Sequence, residues 1–178
     1  LIVRKEKGRL RNYFHIGTGN YNSNTSKFYT DLGLLSTDPD IASDLLELFN
    51  YLSGFSKQKS YQKLLVSPSS MRKKFIFLIK REIKNAEEGK KAEIIAKMNS
   101  LVDPEIINLL YLASDSGVKI SLIVRGICCL YPQRKNLSEN IKVKSIIGHF
   151  LEHSRIFWFC NNGDNEVFIG SADWMRRN

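Results

Sequence analysis

Two Asp-Pro pairs, Asp38-Pro39 and Asp103-Pro104, divide the chain into segments that alternate between strand and helix patterns. Aspartate before proline is a strong helix start, because the carboxylate caps free backbone amides and proline suits the first helical position. Apolar residues follow each pair at helical spacing, and Gly54 ends the first run. Short β-branched runs lie around these helices. The order predicts an α/β fold with a mainly parallel sheet.

The remaining segments predict nine strands and one more helix. The added helix begins near Ser67-Pro68, carries an apolar stripe opposite a basic face, and ends at Gly89. Residues 55–62 are polar and lack periodicity, which indicates a linker. We therefore predict one domain over residues 1–58 and a second over residues 59–178. The predicted strands are residues 1–4, 12–16, 29–35, 64–66, 92–98, 118–124, 141–147, 155–160 and 166–171.

The net charge of the chain indicates the kind of binding partner more than it indicates the fold. Lys and Arg total 27 against 18 Asp and Glu, and this balance of +9 favours a polyanionic partner. No apolar run approaches the roughly 20 residues that a membrane span requires. The three cysteines form no C-x-x-C pair, which favours a reducing cytoplasm. Because the chain opens on Leu1 inside a strand pattern, we expect it to be a piece of a longer protein.

An internal repeat supplies the first chemical hypothesis. Residues 16–20 (IGTGN) match residues 169–173 (IGSAD) at an offset of 153, and each follows two strands joined by a turn. In the second copy, His153-Ser154-Arg155 precedes the strand pair, which resembles the H-x-K and G-S-x-N half-site of the phospholipase D superfamily. The offset predicts that the partner histidine lies just before Leu1. Taken alone, His153 with Arg155 is also consistent with a surface pair, and His15 with a half-buried strand residue.

Several longer words resemble polyphosphate kinases of the long, phospholipase D-like type, namely HIGTGNYN, FYTDLGLLS, AKMNSLVD, LIVRGICCL, FLEHSRI and SADWM. The resemblance implies a phospholipase D-like mixed sheet flanked by helices, with the end of one such domain followed by most of a second. It implies reversible transfer of the terminal phosphate of ATP to inorganic polyphosphate through a phosphohistidine. Since that histidine is expected upstream, this chain alone is expected to be inactive.

The resemblance also assigns roles to residues. His153 and His15 are implied to be catalytic, with His153 either giving a proton to the leaving oxygen or stabilising the transferring phosphoryl group, where a side chain that titrates near neutral pH is suited. Tyr29, Arg125 and His153 are implied to bind the nucleotide, although Tyr29 without the resemblance fits a strand aromatic in the core better. The residues expected to support phosphate or polyphosphate are Thr18, Asn20, Arg155, Ser171, Asp173, Arg72, Arg81, Lys97 and Arg177.

The implied partners are ATP or ADP and inorganic polyphosphate, with no nucleic acid. Mg²⁺ is expected with ATP, with its ligands outside this chain, and no metal site is expected within it. The resemblance further implies a cytoplasmic protein with peripheral membrane association, assembled as a dimer or tetramer. Two alternatives stay open, a phospholipase D-type phosphodiesterase acting on lipid or nucleic acid and a non-catalytic module that binds polyanions.

Overall fold

The chain divides into two compact units in the computed structural model, which describes residues 1–55, 57 and 60–178. The first unit comprises Leu1–Ile16 with Gly33–Val66, and the second comprises Gly17–Leu32 with Ser67–Asn178. The predicted domain boundary between residues 58 and 59 lies outside the described residues. Among the residues that are described, no helix has the length and apolar character to cross a membrane.

The first unit contains a small sheet. Strands β1 (Ile2–Glu6) and β2 (Arg9–Gly17) are antiparallel, and β4 (Gly33–Ser36) lies on the other side of β2. Lys7 and Gly8 have φ angles of 49° and 81°, the left-handed geometry of a two-residue hairpin turn. The predicted hairpin is therefore confirmed, with longer strands than the alternation indicated.

Helix α1 (Pro39–Leu52) begins as its sequence predicts. The Asp38 carboxylate accepts a hydrogen bond from the Ile41 amide at 3.0 Å, and Gly54 follows the helix with a φ of 78°. On the helix, buried Asp44 accepts hydrogen bonds from three successive amides, those of Gln62, Lys63 and Leu64. Leu64, the first residue of the strand predicted at residues 64–66, is one of these donors, and residues 64–66 form no strand, so that prediction is wrong.

The second unit is built on a five-stranded mixed sheet. Its elements are α2 (Met71–Glu87), β5 (Glu93–Met98), α3 (Pro104–Asp115), β6 (Lys119–Val124), β7 (Ile141–Lys144), β9 (Arg155–Phe159) and β10 (Glu166–Gly170). The strand order is β10-β9-β5-β6-β7, with β5, β6 and β7 parallel and with β9 and β10 running antiparallel to their neighbours. The mainly parallel sheet that the alternation predicts is thus parallel in three strands only.

Helix α2 supplies the centre of the core of this unit. Phe75 is 1% exposed, and its ring lies 4.6 Å from that of Phe157 and 5.7 Å from that of Trp174. Leu78 and Ile79 on the same helix are fully buried. Burial of these side chains attaches the helix to one face of the sheet through the hydrophobic effect.

A two-stranded ladder accounts for the main departure from the predicted strands. Residues 29–35 form two short strands instead of one, β3 (Tyr29–Thr30) and β4, and β3 pairs in parallel with β8 (Leu151–Glu152). The break falls at Asp31 and Leu32, where the Leu32 carbonyl accepts a hydrogen bond from the Thr18 amide at 2.9 Å. β7 also ends at Lys144, before the predicted residue 147.

Candidate functional site

Several polar residues of the second unit lie together at one end of its mixed sheet. Asn99 directly follows β5 and Arg125 directly follows β6, so both lie at the carboxyl ends of parallel strands, where ligands of such sheets bind. β9 runs antiparallel and begins at this same end, which brings His153 and Arg155 there. The register of the sheet therefore assembles residues separated by more than 50 positions in sequence.

His153 is held by a carboxylate that the sequence analysis did not single out. Its Nδ1 lies 2.9 Å from Oδ1 of Asp31, and the hydroxyl of Thr18 donates to that same oxygen at 2.7 Å. The Tyr29 ring lies 5.0 Å from the imidazole ring at an angle of 31°. The side chain of His153 is 21% exposed, so the ring is fixed but remains accessible to solvent.

Local backbone geometry explains why these residues meet. The amides of His153 and Ser154 both donate to the carbonyl of Thr30, which continues the parallel pairing of β3 with β8. A Cβ atom on Gly19 would collide with the carboxylate of Asp31, so the glycine leaves the space that this side chain occupies. The word FYTD is consequently fixed beside the word LEHS.

Arg125 forms part of the wall of a cleft of about 310 Å³. One guanidinium nitrogen, NH2, donates to Oδ1 of Asn99 at 2.6 Å, while the buried Nε has no hydrogen-bond partner within the described part of the chain. The other walls are formed by Phe28 and residues 146–152. The cleft thus combines mainly apolar walls with the cation of Arg125, while the one carboxylate among its lining residues, that of Glu152, is paired with Lys97. This combination suits a ligand with an apolar ring and an anionic group.

The other basic residue of the motif, Arg155, is buried and paired. It is 7% exposed, its Nε donates to Oδ1 of Asp173 at 3.1 Å, and NH1 donates to the carbonyl of His153. Asp173 is 6% exposed. In this structure the guanidinium of Arg155 therefore contacts the main chain of His153 and a carboxylate, which supports the loop that carries the histidine.

The remaining predicted residues lie in different surroundings. Thr18 is fully buried and its hydroxyl binds Asp31, whereas Ser171 and Asn20 are exposed. His15 belongs to the first unit, where it lies on β2. The structure places Tyr29, Asp31, Arg125 and His153 on one unit.

Of the five cations expected to support phosphate or polyphosphate, four have carboxylate partners, and Arg155 with Asp173 is one of them. Arg72 binds Asp103 at 2.7 Å and also Glu105. Arg81 binds Glu166 and Glu82, and Lys97 binds Glu152 at 2.9 Å. Arg177 is exposed and forms no ion pair with any residue that the structure describes.

Sequence reasoning missed two residues that contact the candidate site residues, Asp31 beside His153 and Asn99 beside Arg125. Each lies inside a word that carries the family resemblance, FYTDLGLLS for Asp31 and AKMNSLVD for Asn99. The words were therefore the available signal, but which side chain each residue contacts depends on strands that lie far apart in sequence.

Comparison with known proteins places this arrangement in a family. Residues 1–58 match the family model described as polyphosphate kinase C-terminal domain 1, and residues 64–178 match the model of C-terminal domain 2. A polyphosphate kinase of Prochlorococcus marinus (strain MIT 9313) is 66% identical over all of this chain, which covers 25% of that protein. The polyphosphate kinase of Dictyostelium discoideum is 54% identical, again over the whole chain, which covers 17% of that protein.

A solved structure agrees with the sequence matches. The crystal structure of polyphosphate kinase from Porphyromonas gingivalis superposes with a TM-score of 0.87 and 42% identity, over 97% of this chain and 28% of that one. The phospholipase D-like mixed fold that the resemblance implies is thereby confirmed. The chain spans about a quarter of the length of the bacterial relatives named above. Two family models match this chain in succession, and a solved family member superposes on nearly the whole of this chain. The chain therefore belongs to the polyphosphate kinase family.

Proposed function

We propose that these 178 residues form the nucleotide-binding and leaving-group side of a polyphosphate kinase. The observation that carries the proposal is the contact of Asp31 with His153 on the same unit as Arg125 and Tyr29. Because Nδ1 of His153 is engaged by a carboxylate, Nε2 is the ring nitrogen that faces substrate. The carboxylate also fixes the orientation of the ring, as the aspartate partner of a catalytic histidine does in other acid-base sites.

The proposed reaction breaks the bond between the γ-phosphorus of ATP and the oxygen that bridges to the β-phosphate. The electron pair stays on that oxygen, and the phosphoryl group passes to a histidine nitrogen; the terminal oxygen of polyphosphate then displaces that nitrogen. Phosphoryl transfer depends mainly on positioning and on neutralising charge. His153 would donate to the leaving oxygen, while Arg125 grips phosphate oxygens through its planar fork. Tyr29 would contact the base or a phosphate.

The nucleophile is assigned to a histidine outside this chain. The sequence has three histidines, and only His153 stands in a motif of histidine, spacer and basic residue. We assign His15, on the first unit, a supporting role toward phosphate. Thr18, Asn20, Arg155, Ser171 and Asp173 would act mainly by shaping the ends of the two half-sites.

The proposed substrates are ATP or ADP and inorganic polyphosphate, and the family assignment supports both. Mg²⁺ would accompany ATP and neutralise phosphate charge. Among the described residues no group of three or more His, Cys, Asp or Glu side chains is placed to hold a metal ion, and we propose that the protein ligands of Mg²⁺ lie outside this chain. Peripheral membrane association in the cytoplasm and a dimeric or tetrameric assembly stay predictions.

The test uses a chimeric kinase, the Prochlorococcus marinus relative in which these 178 residues replace its own matching quarter. After incubation with γ-labelled ATP we expect acid-labile, alkali-stable phosphate on the protein, followed by long-chain polyphosphate. His153→Gly should lower the rate of polymer synthesis by roughly 100-fold or more, and added imidazole should restore part of it. Cleavage of lipid or DNA phosphodiesters without phosphohistidine would instead support the phosphodiesterase alternative. Polyphosphate binding without any transfer would support the non-catalytic one.

A further inference from the structure

A short chain of hydrogen bonds joins the two loops that carry Arg125 and His153, the residues proposed to act on the nucleotide. It begins at Arg125, whose NH2 donates to Oδ1 of Asn99. The backbone amide of Asn99 donates to Oδ1 of Asp173 at 2.8 Å, and that oxygen also accepts from Nε of Arg155. Arg155 then donates to the carbonyl of His153. A single buried carboxylate therefore links the loops that carry Arg125 and His153.

Asn99 occupies its place because the parallel pairing of β5 and β6 continues past both strands. The amide of Arg125 donates to the Met98 carbonyl at 3.2 Å, and the amide of Gly126 donates to the Asn99 carbonyl at 2.7 Å. These bonds hold the two loops side by side. Since its own backbone is fixed in this way and by Asp173, the side chain of Asn99 presents a stationary acceptor to the guanidinium.

The approach of the two loops requires a glycine at position 126. A Cβ atom there would lie 2.9 Å from the carbonyl oxygen of Asn99 and 3.1 Å from Oδ1 of Asn99. Both distances are shorter than a carbon and an oxygen normally adopt, and the second oxygen is the one that holds Arg125. Gly126 therefore allows the contact that fixes the arginine.

We propose that Asn99 is a positioning residue that holds the guanidinium of Arg125 in its phosphate-binding orientation. An arginine side chain has several rotatable bonds, and ordering it on binding a ligand costs conformational entropy. Among the described residues, Asn99 accepts a hydrogen bond from this guanidinium, whereas the buried Nε has no partner there. The contact with Asn99 therefore fixes the orientation of the guanidinium. Anchoring before ATP arrives removes part of that cost, which is the general advantage of preorganisation.

The inference rests on the proposed function, because it requires Arg125 to bind the nucleotide. In the chimeric kinase, Asn99→Ala should raise the dissociation constant for ATP about tenfold, the size expected from losing one charge-assisted hydrogen bond. Gly126→Ala should have the same direction of effect. The substitution Asn140→Ala is the control, because the side chain of Asn140 likewise forms a hydrogen bond, donating to the Ser114 carbonyl, but lies at the other end of the sheet, before β7.

A double-mutant cycle separates positioning from a general structural role. If Asn99 acts through Arg125, adding Asn99→Ala to Arg125→Ala should change ATP affinity less than about twofold, whereas independent effects would multiply. Multiplying effects, or an unchanged affinity in Asn99→Ala alone, would overturn the inference while leaving Arg125 as a nucleotide-binding residue. If Arg125→Ala itself leaves ATP affinity unchanged, the proposed role of Arg125 fails and the inference fails with it.

Discussion

The carboxylate of Asp31 contacts both the imidazole of His153 and the hydroxyl of Thr18. We predict that Asp31→Asn lowers the turnover rate of polyphosphate synthesis roughly 10- to 100-fold, because a neutral amide binds the ring less strongly than a carboxylate and can hold it in the wrong tautomer. The rate is measured at saturating ATP in the chimeric kinase. Asp164→Asn, on the exposed turn between β9 and β10, should have no effect. An unchanged rate in Asp31→Asn would remove this residue from the mechanism.

At the scale of single residues, the sequence identifies side chains that stand in recognisable words but not those whose role depends on a distant partner. His153 and Arg125 stand in recognisable words, so both could be named as candidate site residues, and Arg125 could be placed at the carboxyl end of its strand. Asp31 could not be assigned, because its partner lies 122 positions away and the pairing of β3 with β8 brings them together. That ladder has only two residues in each strand, which is too short to leave a periodic pattern.

At the scale of elements, Asp103 joins the start of α3 to α2. Its carboxylate is fully buried, accepts hydrogen bonds from the amides of Glu105 and Ile106, and binds the guanidinium of Arg72 at 2.7 Å. We predict that Asp103→Asn lowers the free energy of unfolding by about 2 kcal/mol, because the cap is kept while a charge-assisted pair is lost. Urea denaturation measures this difference. Asp38→Asn, which changes the matching cap of α1, should cost much less.

The same pair predicts a dependence on pH. Burial alone would raise the pKa of the Asp103 carboxyl, but the Arg72 guanidinium and the two capping amides outweigh it and lower that pKa below its ordinary value. The stabilisation is therefore complete above the unfolded pKa of about 3.9 and is lost as pH falls through the lower folded pKa. The stability difference between the wild type and Asp103→Asn should stay constant near neutral pH and shrink below about pH 4. A constant difference down to pH 2 would contradict the assignment.

Helices were predicted more accurately than strands because their signals are local. The residues that cap α1 and α3 and the apolar stripe of α2 each lie within a short segment of sequence. The structure confirms all three helices. The strand predicted at residues 64–66 is wrong, and the amide of its first residue, Leu64, donates to the carboxylate of Asp44, 20 positions earlier. Strand formation depends on which partner accepts the backbone hydrogen bonds, and this partner is a side chain on a helix.

At the scale of the whole molecule, the net charge of +9 overstates the cations that are free to bind polyphosphate. Arg72, Arg81 and Lys97 are each partly buried and each contact at least one carboxylate. A cation that already pairs with an internal carboxylate contributes less to binding an external anion. Exposed cations such as Arg177 should therefore determine the affinity for the polymer.

This distribution of charge predicts different effects for two arginines. Binding of polyphosphate to the 178-residue chain should weaken with salt, and Arg177→Gln should lower the affinity and reduce the slope of log affinity against log salt by about one. Arg81→Gln should instead lower the free energy of unfolding, because it leaves the fully buried carboxylate of Glu82 without its cation, and the salt slope should stay unchanged. Affinity titrations over a salt series and urea unfolding of both variants test this. If Arg81→Gln reduces the slope and Arg177→Gln does not, the polymer displaces the internal ion pairs of α2, and exposure does not decide which cations bind it.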